Sequence, residues 1–178
     1  MAEKIIHDAK DIGAALKSLA ERILADDPEL PALVGIHTNG VPLSRRLATL
    51  IAGKKGQPET GTLDITLYRD DLAGRALPLV KGSDIPFNVE GRRIVLIDDV
   101  LFTGRTVRAA LNELYDFGRP RCVQLCVLVD RGHRELPIQP DYAAFKVKTS
   151  REDKVRVELS ETGGTAVCVV LRKNVRAE

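Results

Sequence analysis

No apolar run in this 178-residue chain approaches 18 residues, which excludes a membrane-spanning helix. The opening Met1-Ala-Glu-Lys-Ile-Ile-His-Asp8 has neither the apolar stretch nor the small-residue cleavage site of a secretory leader, so a cytoplasmic chain is expected. Charge of one sign is not in excess either. The 27 Lys+Arg stand against 25 Asp+Glu, which argues against a surface dominated by nucleic-acid electrostatics and leaves room only for a local basic patch. Cysteine is scarce: Cys122, Cys126 and Cys168 lie in apolar runs without ligand-like spacing and read as buried thiols in a reducing compartment. The Gly-x-Gly-x-x-Gly fingerprint and the Walker loop are both missing, as are a legible Ser-His-Asp or Cys-His arrangement, internal repeats and low-complexity tracts. What is present, 44% hydrophobic and 29% charged residues, suits a soluble globular chain, and residues 1–178 are read as a single domain.

Apolar spacing organises the chain. Ile12, Ala15, Leu16, Leu19, Ala20 and Ile23 recur at helical period behind a cap at Asp8, and Asp26-Asp-Pro28 ends that helix. Residues 32–37 read as a buried strand, followed by a Thr38-Asn39-Gly40 turn and a second helix through Leu43, Leu47, Leu50 and Ile51. Leu63, Ile65 and Leu67 alternate like a strand. Residues 69–90 show no period, and a loop of that length in a compact domain is usually functional or mobile. A strand at 94–97, a helix carrying Val107, Ala110, Leu111, Leu114 and Tyr115, and a strand at 122–129 follow. Runs at 143–148, 155–159 and 165–171 are β-like. Strands alternating with helices predict an α/β fold with a central parallel sheet flanked by helices, whose ligands bind beyond the carboxyl ends of the strands.

The stretch Ile94-Val-Leu-Ile-Asp-Asp-Val-Leu-Phe-Thr-Gly-Arg-Thr106 carries the most chemistry. A buried strand is expected to end in Asp98 and Asp99, with Thr103-Gly-Arg-Thr106 entering a helix. The unpaired N–H groups of that first turn, an unobstructed backbone at Gly104, and the hydroxyls of Thr103 and Thr106 form a cradle for one phosphate. Carboxylates avoid phosphate, so the acidic pair must face hydroxyl donors or a cation such as magnesium. Phosphate and vicinal hydroxyls spaced by a sugar describe a ribose 5-phosphate. Taken alone, the same residues also suit a strand end and a capped helix; the apolar strand before them and the amphipathic helix after them favour the ligand.

Residues 94–106 resemble the 5-phosphoribosyl-1-pyrophosphate (PRPP) signature of type I phosphoribosyltransferases. Gly35-Ile-His-Thr-Asn-Gly-Val-Pro-Leu43, Asp64-Ile-Thr-Leu-Tyr-Arg-Asp-Asp-Leu72 and Val127-Leu-Val-Asp-Arg-Gly-His-Arg-Glu-Leu-Pro-Ile138 narrow the likeness to the PyrR family, pyrimidine operon attenuators that are also uracil phosphoribosyltransferases. A purine or orotate enzyme would share 94–106 but not 127–138. The resemblance implies a fold with a small hood at about 131–160 and a mobile loop at about 69–90. It implies UMP and pyrophosphate made from uracil and PRPP, with Mg2+ carried by the PRPP, and a homodimer or higher oligomer. By the same resemblance Asp98, Asp99 and Arg69 are the catalytic set. Thr38, Asn39, Gly40, Thr103, Gly104, Arg105, Thr106 and Arg131 would bind substrate, again with Asp98 and Asp99. Many members carry Arg where this chain has Asn39, which implies a weaker hold on pyrophosphate here.

The resemblance also implies a leader-RNA partner, read by a basic face on the first helix and after the hood. Lys17, Arg22, Arg134 and Arg151 are the candidate contacts. Asp11, Glu21, Asp26 and Asp27 dilute that face, and Gln139 and Phe145 stand where RNA-binding members tend to carry Arg and Lys. RNA attenuation is therefore expected to be weak or absent, with the enzyme activity ahead of it.

Overall fold

The computed structural model describes residues 2–66, 82–163 and 167–172, with the backbone alone for 2, 3 and 167–172. A strand β1, Ala2–His7, comes first and was not legible in the sequence. Helix α1, Ala9–Asp26, starts as expected at Asp8, in a reciprocal box: the Asp8 carboxylate accepts from Asp11 N at 2.9 Å, and Asp11 accepts from Asp8 N at 3.2 Å. Strand β2, Ala32–Ile36, is buried throughout, and α2, Gly40–Lys55, follows it. Strand β3 is Thr60–Leu63, earlier than the alternation of 63, 65 and 67 suggests. The reason is Asp64, whose carboxylate accepts from Thr66 N at 3.0 Å and from the Thr66 hydroxyl, so the chain turns there. Leu67 lies outside the described residues.

Strand β4, Arg93–Leu101, also departs from expectation: it does not stop at the acidic pair but runs through it. Its parallel partner β5, Cys122–Asp130, keeps pairing as far as Leu101 with Asp130, and that ladder holds the carboxylates inside the strand. Helix α3, Arg105–Asp116, leaves Tyr115 exposed despite its place in the apolar stripe. The chain then adds β6, Tyr142–Lys146; β7, Lys154–Glu158; and β8, Val167–Arg172.

A five-stranded parallel sheet of order β3-β2-β4-β5-β6 forms the centre. Helices α1 and α2 cover one face with Leu16, Leu19, Ile23, Leu43, Leu47 and Ile51. Helix α3 covers the other with Val107, Ala110 and Leu114, joined by Val89. A second, antiparallel sheet of order β1-β8-β7 draws its strands from both ends of the described chain. Val157 and Leu159 plug it into the same core as α1 and α2. Cys126 is buried, and burial pushes its thiol up to about 12. Cys122 is only partly buried, unlike the uniform burial read from its apolar run, and the Cys168 side chain lies outside the described residues. No helix among the described residues is long and apolar enough to cross a membrane.

Arg93 ties the carboxyl end of α1 to the amino-terminal ends of β4, β5 and β6. Its side chain is 1% exposed and donates to Ile23 O (3.0 Å), Glu29 O (3.1 Å), Gln124 Oε1 (2.8 Å) and the Tyr142 hydroxyl (3.1 Å). Asp26 completes the cluster, accepting from Tyr142 at 2.7 Å and from Gln124 at 2.6 Å. Burial and the Asp26 hydrogen bond push the Tyr142 phenol up to about 12, which keeps it a donor. Replacing Arg93 with Met should destabilise the fold by about 2–5 kcal/mol, because buried carbonyls are left without donors. Urea unfolding is the check, read as a lower midpoint at constant slope.

Candidate functional site

The order β3-β2-β4 places successive connections on opposite sides of β2, so the sheet has its switch point between β2 and β4. Loops leaving the two strands diverge there, and in sheets of this kind the divergence forms the ligand crevice at the carboxyl ends of the strands. The topology brings Thr38, Asn39, Gly40, Asp98, Asp99, Thr103, Gly104, Arg105 and Thr106 to this one end of the sheet. Arg69, with its neighbours Tyr68, Asp70 and Asp71, lies outside the described residues.

Glycine lets the first loop lie against the sheet. A Cβ at Gly40 would sit 2.2 Å from Ile97 O, and one at Gly35 would sit 2.6 Å from Gly40 O. Both contacts are with backbone, which cannot swing aside. The N-terminus of α2 is thus pressed onto β4 one residue before the acidic pair.

The two carboxylates fall on opposite faces of β4 by the strand period. Ile94 and Leu96 belong to the α3 side, and Val95 and Ile97 to the α1–α2 side, which assigns Asp98 to the first and Asp99 to the second. Asp98 is only 6% exposed, and its Oδ1 accepts from Asp99 N at 2.9 Å. Burial drives its pKa well above the ordinary carboxylate value, and the neighbouring Asp99 charge adds to the rise. Asp99 is half-buried; its Oδ1 accepts from Val100 N at 2.8 Å and its Oδ2 from Asn39 Nδ2 at 2.8 Å. The pair offers hard oxygen ligands to a magnesium ion, too few to enclose one. Among the described residues no group of three or more His, Cys, Asp or Glu could hold a metal. Asp98 and Asp99 are the residues here whose oxygens would face such an ion.

Helix ends supply the opposite charge. Helix α1 has a complete side-chain cap, whereas α2 and α3 start at Asn39 and Gly104 without a capping side chain. A contact of 3.4 Å from Arg105 N to the Thr103 hydroxyl is the nearest substitute at α3. Two helix N-termini beside the crevice thus keep N–H groups and positive dipole ends for anionic oxygens. Gly104 takes φ +95°, and a Cβ there would meet Ile138 Cδ1 at 3.3 Å, so the glycine shapes the turn and packs against the 136–138 segment.

Arg131 is placed inward. It is 6% exposed, stacks 4.0 Å over the Phe102 ring, donates to Ser150 O at 2.8 Å, and leaves Nε without a hydrogen-bond partner. Arg134, side chain 13% exposed, is spent on Asp130 (2.6 Å), Phe102 O and Ile138 O (2.9 Å each). It staples the loop after β5. Lys17, Arg22 and Arg151 are exposed, though Arg22 also donates to Ala143 O at 3.1 Å and Arg151 pairs with Glu135. Sequence pattern missed Glu135, which also accepts from Arg105 Nε at 2.8 Å and so bridges the start of α3 to Arg151. A carboxylate among cations in the Arg131–Leu136 run was the available signal. It missed Asp64 as well, which accepts from Gly82 N at 3.1 Å besides Thr66; a strand-ending Asp two residues before Thr is the turn signature that marks it.

Burial of Asp98 sets a pH dependence. The folded chain keeps this proton at pH values where the unfolded chain has released it, so the wild type loses stability as pH rises above the ordinary carboxylate range toward the raised value. Asp98→Asn removes that loss and keeps the oxygen that accepts from Asp99 N. The variant without ligand should melt above the wild type at pH 8, with the gap closing toward pH 4, in thermal scans at each pH.

The family model of the phosphoribosyl transferase domain matches residues 3–161. A bifunctional protein PyrR of Syntrophobacter fumaroxidans is 48% identical over 171 residues, covering 94% of this chain and 92% of that protein. Its counterpart from Bacillus velezensis is 46% identical over 172 residues, covering 93% and 95%. Among solved structures, a hypoxanthine phosphoribosyltransferase of Trypanosoma cruzi is similar at TM-score 0.73 and 19% identity, covering 97% of this chain and 98% of that one. A hypoxanthine-guanine phosphoribosyltransferase of Bacillus anthracis is similar at TM-score 0.66 and 18% identity, covering 83% and 85%. Those two share the fold. The parallel sheet with its switch-point crevice and the extended sequence identity lead to one conclusion: this chain belongs to the PyrR family and has the type I phosphoribosyltransferase fold.

Proposed function

We propose that this protein is a uracil phosphoribosyltransferase. It takes uracil and PRPP, the latter as its magnesium complex, and forms UMP and pyrophosphate. One observation carries the reading: an acidic strand segment, Asp98-Asp99, at the same crevice as two helix N-termini that lack side-chain caps. PRPP has the matching pattern, with a phosphate at one end, a diphosphate at the other and hydroxyls between. The α3 turn at Thr103–Thr106 takes the 5-phosphate, the Thr38–Gly40 loop takes the diphosphate through α2 backbone N–H groups, and the acidic pair takes the hydroxyls. As the anomeric C–O bond breaks, the electron pair leaves with the diphosphate; N1 of uracil forms the new bond and its proton passes to solvent. Magnesium bound to the diphosphate stabilises the charge that accumulates on the leaving group. The protein's share is positioning and fixed dipoles. The choice of uracil rests on the PyrR relatives and on the 127–138 run, which purine enzymes are not expected to share.

A second reading, a UMP-sensing RNA attenuator of the pyrimidine operon, is favoured by the bifunctional name its relatives carry. In that role exposed Lys17, Arg22 and Arg151 are the candidate phosphate contacts, and the same crevice senses UMP. A gel-shift titration with pyrimidine leader RNA, with and without UMP, decides it: UMP-enhanced retention supports the regulator, and no shift at physiological salt removes it.

For the enzyme, incubation with PRPP, magnesium and each free base should yield UMP from uracil and no purine nucleotide. The Asp98→Asn, Asp99→Asn double variant should keep its fold by circular dichroism and lose at least about 100-fold in rate, since misplaced substrate costs that much. Nucleotide formed from hypoxanthine alone would overturn the base assignment, and full activity in the double variant would overturn the site.

A further inference from the structure

We infer that Asn39 is a positioning residue for Asp99 and not a side-chain ligand of the diphosphate, an inference that rests on the ribosyl-transfer reading above. Its carboxamide nitrogen carries two hydrogens, and both are committed. One goes to Asp99 Oδ2 at 2.8 Å, the other to Val157 O at 2.9 Å. Asp99 Oδ1 is held by its own strand through Val100 N at 2.8 Å, so the carboxylate is gripped on both oxygens. Val157 is buried in β7, which makes this one amide the junction of the β2–α2 loop, the acidic strand and the antiparallel sheet. Asn39 stands at the N-cap position of α2 yet makes no capping bond: its backbone is already helical, at φ −81° and ψ −21°, and its side chain is turned toward Asp99. An N-cap asparagine normally occupies the helix N–H groups itself. Here they are left to an incoming anion.

A neutral amide suits this place. An aspartate of the same shape would accept where Asn39 donates and would set like charge against Asp99. The chain thus meets diphosphate with backbone and dipole, and uses position 39 to aim a carboxylate at the ribosyl hydroxyls. Loss of the amide should act on the rate of the bound complex more than on the affinity for PRPP.

Steady-state UMP formation by the full chain tests this in Asn39→Ala and Asn39→Asp, with Asn39→Ser, which keeps one donor, as the milder variant if either fails to fold. The expected result is a fall in kcat of about 10–100-fold with KM for PRPP within about threefold, and a smaller fall for serine. In an Asp99→Asn background, Asn39→Ala should add little, because the pair acts as a unit. A raised KM with unchanged kcat would make Asn39 a diphosphate ligand and overturn the inference, as would independent, multiplicative losses in the double variant. A wild-type protein that forms no nucleotide from any base would instead overturn the ribosyl-transfer reading itself.

Discussion

Everything at the crevice depends on how closely the N-terminus of α2 approaches β4. Gly35 and Gly40 have no side chains to hold the loop away, and the backbone at Gly40 comes to rest against Ile97 O. That contact brings Asn39 within 2.8 Å of Asp99 and turns the start of α2 toward the acidic pair. It is a contact between main chains, so no rearrangement of rotamers would relieve a methyl group inserted there. The start of α2 and the carboxylates are therefore set relative to each other by backbone packing.

A cost is stored in the same place. Asp98 sits inside a strand with its pKa driven upward by burial and by Asp99, a poor choice for stability and the kind of perturbed group that clusters at functional sites. The opposite end of the sheet offsets it. There Arg93 is buried too, but its guanidinium donates to two carbonyls, an amide oxygen and a phenol, with the Asp26 carboxylate 3.8 Å away. One end of the sheet is a fully bonded polar knot. The other keeps a carboxylate in apolar surroundings and two helix starts without side-chain caps. The switch point of the sheet lies at the second of these ends.

The antiparallel sheet is more than a cover. Val157 and Leu159 share the core of α1 and α2, and Val157 O accepts from Asn39, so this sheet is bonded directly to the crevice. On the far side of the crevice, Arg134 and Arg131 fix the run after β5 by donating to backbone carbonyls. Glu135 then links that run to Arg105 at the start of α3. Residues that look like surface cations in the sequence are in this way spent on holding loops.

The sequence by itself determined the layers: a 3.6-residue period with an Asp8 cap for α1, continuous apolar runs for β2, β4 and β5, and an acidic pair followed by Thr-Gly where a parallel strand meets a helix. Local rules reach that far because periodicity, capping and turn chemistry act over a few residues. Tertiary structure decided the rest. β1 exists because β8, some 160 positions later, offers it a partner. β4 passes through Asp98 and Asp99 because β5 continues beside it, and Arg131 and Arg134 turn inward because Phe102 and the 149–151 backbone wait for them. The role of Asn39 was invisible for the same reason. A side chain's chemistry is written in the sequence, but its hydrogen-bond partners, 60 and 118 residues away, are chosen only when the chain has folded.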